Sequence, residues 1–257
     1  MTAAVRLRLI PLLLPLLLTL AACGGSDAQS SHRPALRVSA AASLKSALTG
    51  YGAAFTAADP RFSFAGSDVL AAQIRAGAKP DVFAAANAKL PDQLHAEGLV
   101  EAPVAFARNR LVIATPAGKT TIRGIADLAN HGVTVAVGAP TVPIGSYTKT
   151  VLGRLPAAQR AAVQRNIRSE EPDVSGIVGK VATGAVSAGL VYASDVTTSG
   201  GRLRAVALPQ ALEPEVVYKA AVVTGTAHAD AARKFVQGLA SARGQAALHR
   251  AGFLPSP

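Results

Sequence analysis

From Leu36 onward the chain alternates between two hydrophobic periods, and that alternation limits the possible folds more than any other feature. Short apolar runs of strand character at 36–41, 62–65, 81–86, 111–114, 133–137, 188–192 and 216–223 are separated by stretches with apolar residues at helical spacing. Leu44, Ala47, Leu48, Tyr51 and Phe55 form the first such stretch, and 69–76, 91–97, 125–128, 145–155, 174–183, 229–240 and 242–250 continue the pattern. Strands interleaved with helices predict an α/β fold with a parallel or mixed sheet covered by helices on both faces. A second α/β series begins after Thr115-Pro116, which predicts two lobes, 36–114 with 216–257 and 115–215. The strands at 111–114 and 216–223 are the expected crossings between them.

Ahead of this body lies a segment expected to be a targeting sequence, set aside in reading the fold. Arg6 and Arg8 precede an apolar stretch broken by Pro11 and Pro15, shorter and more interrupted than the ~20 apolar residues of a membrane span. It ends in Leu20-Ala21-Ala22-Cys23, which resembles a bacterial lipoprotein box. The expectation is a signal peptide over 1–22, lipidation at Cys23, and a Ser- and Gly-rich tether over 23–35. Cys23 is the one cysteine, so no disulfide forms within the chain. The protein is expected to be exported and anchored to the outer face of the cytoplasmic membrane.

Composition excludes several classes. The formal charge of +11 falls to +9 once Arg6 and Arg8 are removed, but the basic residues are scattered and not interleaved with aromatics, which argues against nucleic acid. His32, His95, His131, His228 and His249 form no HExxH, and the chain has no GxSxG and no P-loop, so no enzyme or cofactor is expected.

In open α/β sheets ligands sit beyond the carboxyl ends of the strands, so the turns there carry the functional reading. Ser43 follows Ala40-Ala41-Ala42 at a strand-to-helix turn, in the place of a cap or first-turn residue. Ser67 follows Ala65-Gly66 in a second turn of the same kind. The third turn runs from Thr141 to Ser146, shaped by Pro143 and Gly145. The fourth is Glu171-Pro172-Asp173-Val174, with Pro172 read as the first helical residue, and Tyr192 ends an apolar strand. Helix N-termini offer free N–H groups and partial positive charge, so converging turns of small residues can hold an oxyanion against the backbone. No arginine lies in the four turns, which disfavours a carboxylate ligand.

The stretches VSAAASLKSAL, FAGSDVLAAQIRAGAKPDVFAAAN, NRLVIATPAG, TVAVGAPTVPIGSYTK, PDVSGIVGKVATGAVSAGLVYASDV and the terminal AGF resemble, in order and spacing, the substrate-binding proteins of bacterial molybdate importers. The resemblance implies a two-lobed periplasmic-binding-protein fold, type II-like, with mixed sheets flanked by helices and a hinge between the lobes. It implies that Ser43, Ser67, the backbone N–H groups of Ile144 and Val174, and the Tyr192 phenol contact molybdate or tungstate. It further implies an ABC permease and, through it, an ATPase as partners of a monomer. Sulfate or phosphate, a surface adhesion role and a hydrolase remain as alternatives. Asp68 stands where family members often carry serine; it is expected to cap its helix or face solvent, or else to accept a proton from a phosphate-like ligand.

Overall fold

Among the described residues ten strands form two mixed sheets flanked by nine α-helices, and each sheet is built around strands that are apolar on both faces. The computed structural model describes residues 33–256, so the signal segment, Cys23 and most of the tether lie outside the described residues. In chain order the elements are β1 (Ala35–Ala41), a 3-10 turn (Ala42–Leu44), α1 (Lys45–Ala53), β2 (Asp59–Ala65), α2 (Ser67–Arg75), β3 (Val82–Ala85), α3 (Lys89–Ala96), β4 (Val104–Asn109) and β5 (Leu111–Pro116). A 3-10 turn (Ile125–Ala129), β6 (Val135–Gly138), α4 (Pro143–Gly153), α5 (Ala157–Asn166), β7 (Ile167–Glu171), α6 (Val174–Ala182), β8 (Ala188–Tyr192) and α7 (Ala193–Thr197) follow. The chain closes with β9 (Leu203–Ala207), β10 (Val216–Val222), α8 (Ala229–Leu239) and α9 (Ala242–Arg250).

The first sheet has the order β2-β1-β3-β10-β4 and the second β7-β6-β8-β5-β9. In each, three strands run parallel and one strand lies antiparallel between its neighbours: β10, which follows its parallel set, against β3 and β4, and β5, which precedes its own, against β8 and β9. The chain enters the second sheet across Arg110 and returns between β9 and β10. Residues 111–114, assigned in the sequence reading to the first lobe, therefore pair within the second sheet. Asn109 and Leu111 are separated by one residue, and β5 finds its apolar neighbours in β8 and β9.

Burial explains why the central strands form. β3 and β8 are buried at every position, and β5 at all but its last, as expected for strands covered by helices on both faces. β1 buries Leu36, Val38 and Ala40 on one side. Against this sheet α8 packs through Ala232, Phe235, Val236 and Leu239, spaced as one helical stripe, with the Phe235 ring 5.0 Å from Tyr51 and 5.2 Å from Phe55. No helix among the described residues is long and apolar enough to cross a membrane.

Candidate functional site

The turns that the sequence singles out meet at one cavity. Its walls are Ala41, Ala42 and Ser43 from the end of β1, Ala65 to Ser67 from the β2–α2 junction, and Ala86 after β3. From the second sheet come Val142 to Ile144 at the start of α4, Asp173 and Val174 at the start of α6, and Tyr192 at the end of β8. All five residues expected to contact a ligand line it, and no lysine, arginine or histidine does. The space at the centre measures ≈ 20 Å³, a little more than the ~10–15 Å³ that one water molecule needs. That suits a small ion and excludes a nucleotide or a sugar.

Each wall residue is placed by its local sequence. Ser43 does not cap a helix: Ala41 is the N-cap of the 3-10 turn and Ser43 lies inside that turn. Its Oγ instead lies 3.0 Å from the Tyr218 hydroxyl of β10. Ser67 is the first residue of α2 behind Gly66, and only 1 % exposed. Its Oγ accepts the backbone N–H of Ala86 at 3.1 Å, so its own proton is free to be donated elsewhere. Gly66 is required here, because a methyl on it would lie 2.6 Å from the Pro172 carbonyl oxygen and 2.8 Å from Asp68 Oδ1.

The proline start signal belongs to the third turn, not the fourth. Pro143 opens α4, where its missing N–H costs nothing, and Ile144 follows it. In the fourth turn Pro172 precedes the cap, and Asp173 is the N-cap of α6. The Asp173 Oδ1 accepts from Ser175 N at 2.7 Å and Gly176 N at 3.3 Å, which leaves the Val174 N–H outside the cap. The first N–H groups of a helix have no partner within it, so the ends of α2, α4 and α6 bring donors and partial positive charge to one place.

Tyr192 completes the wall. It is 1 % exposed, and its hydroxyl is one of three buried side-chain polar atoms among the described residues without a hydrogen-bond partner; the others are Asp68 Oδ1 and Thr115 Oγ1. Only Tyr192 of these three lines the cavity. Burial pushes its phenol well above the ordinary tyrosine value, so the group stays protonated and can donate. Asp68 is half-buried and does not line the cavity; its Oδ1 is buried beside Gly66 without a hydrogen-bond partner.

The roles of four residues escaped the sequence reading. Asp173 is a wall residue whose charge is taken up by the α6 N-terminus. Ala86 offers the N–H that holds Ser67. Asp195, three residues after Tyr192, accepts the Tyr192 backbone N–H, a spacing that a capping-box pattern could have flagged. Tyr218 lies in an apolar strand run, and nothing in that run distinguishes it from core. Lys45 and Arg202 line an adjoining open cleft of ≈ 590 Å³ that shares Ala42 and Ser43 with the cavity and also contains Asp195.

The wall is mostly small residues and helix N-termini, with one carboxylate, Asp173, held by its own helix. The chain is 38 % identical over 246 residues to the molybdate-binding protein ModA of Mycobacterium tuberculosis, covering 91 % of this chain and 92 % of that one. The substrate-binding domain of a putative molybdenum ABC transporter from Clostridium difficile superposes with a TM-score of 0.67 at 27 % identity, over 87 % of this chain and 99 % of that one. The periplasmic molybdate-binding protein of Azotobacter vinelandii, at 22 % identity, shares the fold with a TM-score of 0.77 over 86 % of this chain and all of its own. The family of bacterial extracellular solute-binding proteins matches residues 36–254, and the chain belongs to it.

Proposed function

We propose that this chain captures molybdate, and tungstate with it, between its two lobes and delivers it to an ABC permease driven by an ATPase. The observation that carries the reading is the buried Tyr192 hydroxyl, which has no protein partner and lines a cavity with two serines and the first turns of three helices. A wall whose free polar groups are donors suits a fully deprotonated dianion. A phosphate that carries a proton would call for an acceptor, and the one carboxylate in the wall, Asp173, already holds two N–H groups. Size then discriminates among dianions, since the smaller sulfate would be held more loosely than molybdate.

Export and anchoring through a lipidated Cys23 fit this role, as does action as a monomer without a cofactor. The test is calorimetric titration of the domain beginning just after Cys23 with molybdate, tungstate, sulfate and phosphate in parallel. Tight binding of the first two alone is expected. Phosphate binding, or no binding at all, would overturn the assignment. Ser43→Ala and Ser67→Ala should each weaken molybdate binding by about 1.5–3 kcal/mol, the worth of a hydrogen bond to a charged group.

A further inference from the structure

The two serines face the same demand, and the structure meets it in two ways. A serine hydroxyl carries one proton. To serve a dianion, that proton must point into the cavity, and whatever touches the oxygen from behind must therefore donate to it. For Ser67 the partner is the Ala86 N–H at 3.1 Å, a group that can only donate. For Ser43 the partner is another hydroxyl, Tyr218, at 3.0 Å, and in such a pair either oxygen can donate. If Ser43 donated to Tyr218, it would present only lone pairs to the anion.

Of the two hydroxyls a phenol is the more acidic and so the stronger donor, provided it keeps its proton. Tyr218 is fully buried, and burial pushes its phenol well above the usual tyrosine value, so it keeps its proton. Its ring is fixed edge-on against Phe253 at 5.2 Å, Tyr192 at 5.8 Å and Phe106 at 6.3 Å. The pairing of β10 with β4 slips between Tyr218 and Lys219, so that Tyr218 faces Ala107 and Lys219 faces Ala105. Irregularities of this kind re-aim a side chain beside functional sites, and this one coincides with the residue that reaches Ser43. The same ring touches Tyr192, so one side chain of the first sheet rests against wall residues contributed by both sheets.

We infer that Tyr218 is a positioning residue for anion capture: its hydroxyl donates to Ser43 Oγ and so commits the Ser43 proton to the bound anion. A chain of donors running from phenol to serine to anion also polarises each bond in turn. The inference rests on the oxyanion reading above and adds to it a residue that does not line the cavity.

The experiment is a pair of double-mutant cycles read by titration with molybdate. Tyr218→Phe keeps the ring among its aromatic neighbours and removes only the donor, and the melting temperature of the ligand-free protein checks that the fold is kept. Tyr218→Phe should weaken binding roughly 5- to 10-fold in the wild-type background. It should have no further effect when combined with Ser43→Ala, and its full effect when combined with Ser67→Ala, whose oxygen is held by Ala86 instead. A purely structural role would weaken all three backgrounds equally, and that result would overturn the inference, as would wild-type affinity in Tyr218→Phe. Failure of the wild-type protein to bind molybdate would overturn the proposed function itself, and the inference with it. That outcome is read from the wild-type titration alone.

Discussion

Asp195 Oδ2 accepts the backbone N–H of Tyr192 at 2.9 Å, and both residues are buried, with Asp195 8 % exposed. The bond pins the turn that carries the Tyr192 ring to the cavity wall. It also leaves a carboxyl group where ionisation is costly. Burial pushes Asp195 up to about 7, the Tyr192 N–H opposes the rise, and the Asp173 charge adds to it. Lys45 and Arg202, in the cleft that Asp195 lines, are both exposed.

The sign of the pH effect follows. The folded value lies above the unfolded one of 3.8, so the contribution to stability is fully present below pH ~4. It is lost as pH rises through about 7 and is flat beyond. Asp195→Asn keeps an acceptor for the Tyr192 N–H and has no charge to bury. The variant should match the wild type in acid and exceed it above neutrality by on the order of a few kcal/mol. Thermal unfolding from about pH 4 to about pH 9 reads this directly, and parallel profiles would rule the explanation out. Molybdate affinity of the wild type should fall over the same rise, while that of the variant stays level.

Tyr192→Phe should move stability and binding in opposite directions. Removing a buried hydroxyl that has no partner relieves a desolvation cost of about 1–3 kcal/mol, so the ligand-free variant should melt at or above the wild-type temperature. The same change removes a donor to the anion and should weaken molybdate binding about 10- to 100-fold. A variant that binds as well as the wild type would remove Tyr192 from the site.

Gly145 is fixed by contact, not by an unusual backbone angle. A methyl there would be driven into the Ala139 carbonyl, and the loop around Gly138 and Ile144 leaves no slack to absorb it. Gly145→Ala should cost at least about 2 kcal/mol of stability. It should also displace the Ile144 N–H and reduce molybdate affinity even when assayed well below the melting temperature. A fully stable variant would show that the α4 entry can shift.

Asp173 allows charge and capping to be separated. Asp173→Asn keeps a capping oxygen for Ser175 and Gly176 and removes a negative charge from the anion's wall, so it should bind molybdate more tightly at nearly unchanged stability. Asp173→Ala loses the cap and about 1 kcal/mol with it, and it should loosen the α6 start that presents Val174. Weaker binding in both variants would mean that the carboxylate itself is needed.

Much of this molecule was legible in the sequence because the informative signals are local. Strands apolar on both faces, such as β3 and β8, announce themselves, as do the small residues before Ser43 and Ser67. The elements that escaped are those whose burial comes from partners distant in sequence. β7 reads Ile167-Arg-Ser-Glu-Glu171 and is a strand because it lies at the edge of a sheet beside β6. α5 is polar along most of its length and buries Val163 alone. Within the site, Ser43 looked like a helix cap because serine at a helix start usually is one. What it does depends on Tyr218, 175 residues away, and no periodicity in either segment connects the two. The fourth turn misled in a smaller way: Pro172 is a valid start signal one position too early, and Asp173 takes the cap.

The cavity walls divide unevenly in origin: Ser43 and Ser67 stand on turns of the first sheet, while Ile144, Val174 and Tyr192 stand on turns of the second. On the proposed function, the anion would take hydrogen bonds from both halves at once. Cargo in such a site works as a bolt between two plates, and its retention depends on their alignment more than on any single bond. On that reading, a slight rotation about the two crossings, at Arg110 and between β9 and β10, would break the bonds to one sheet all together. On the proposed function, a permease that grips only the outer surfaces would empty the site without reaching into it.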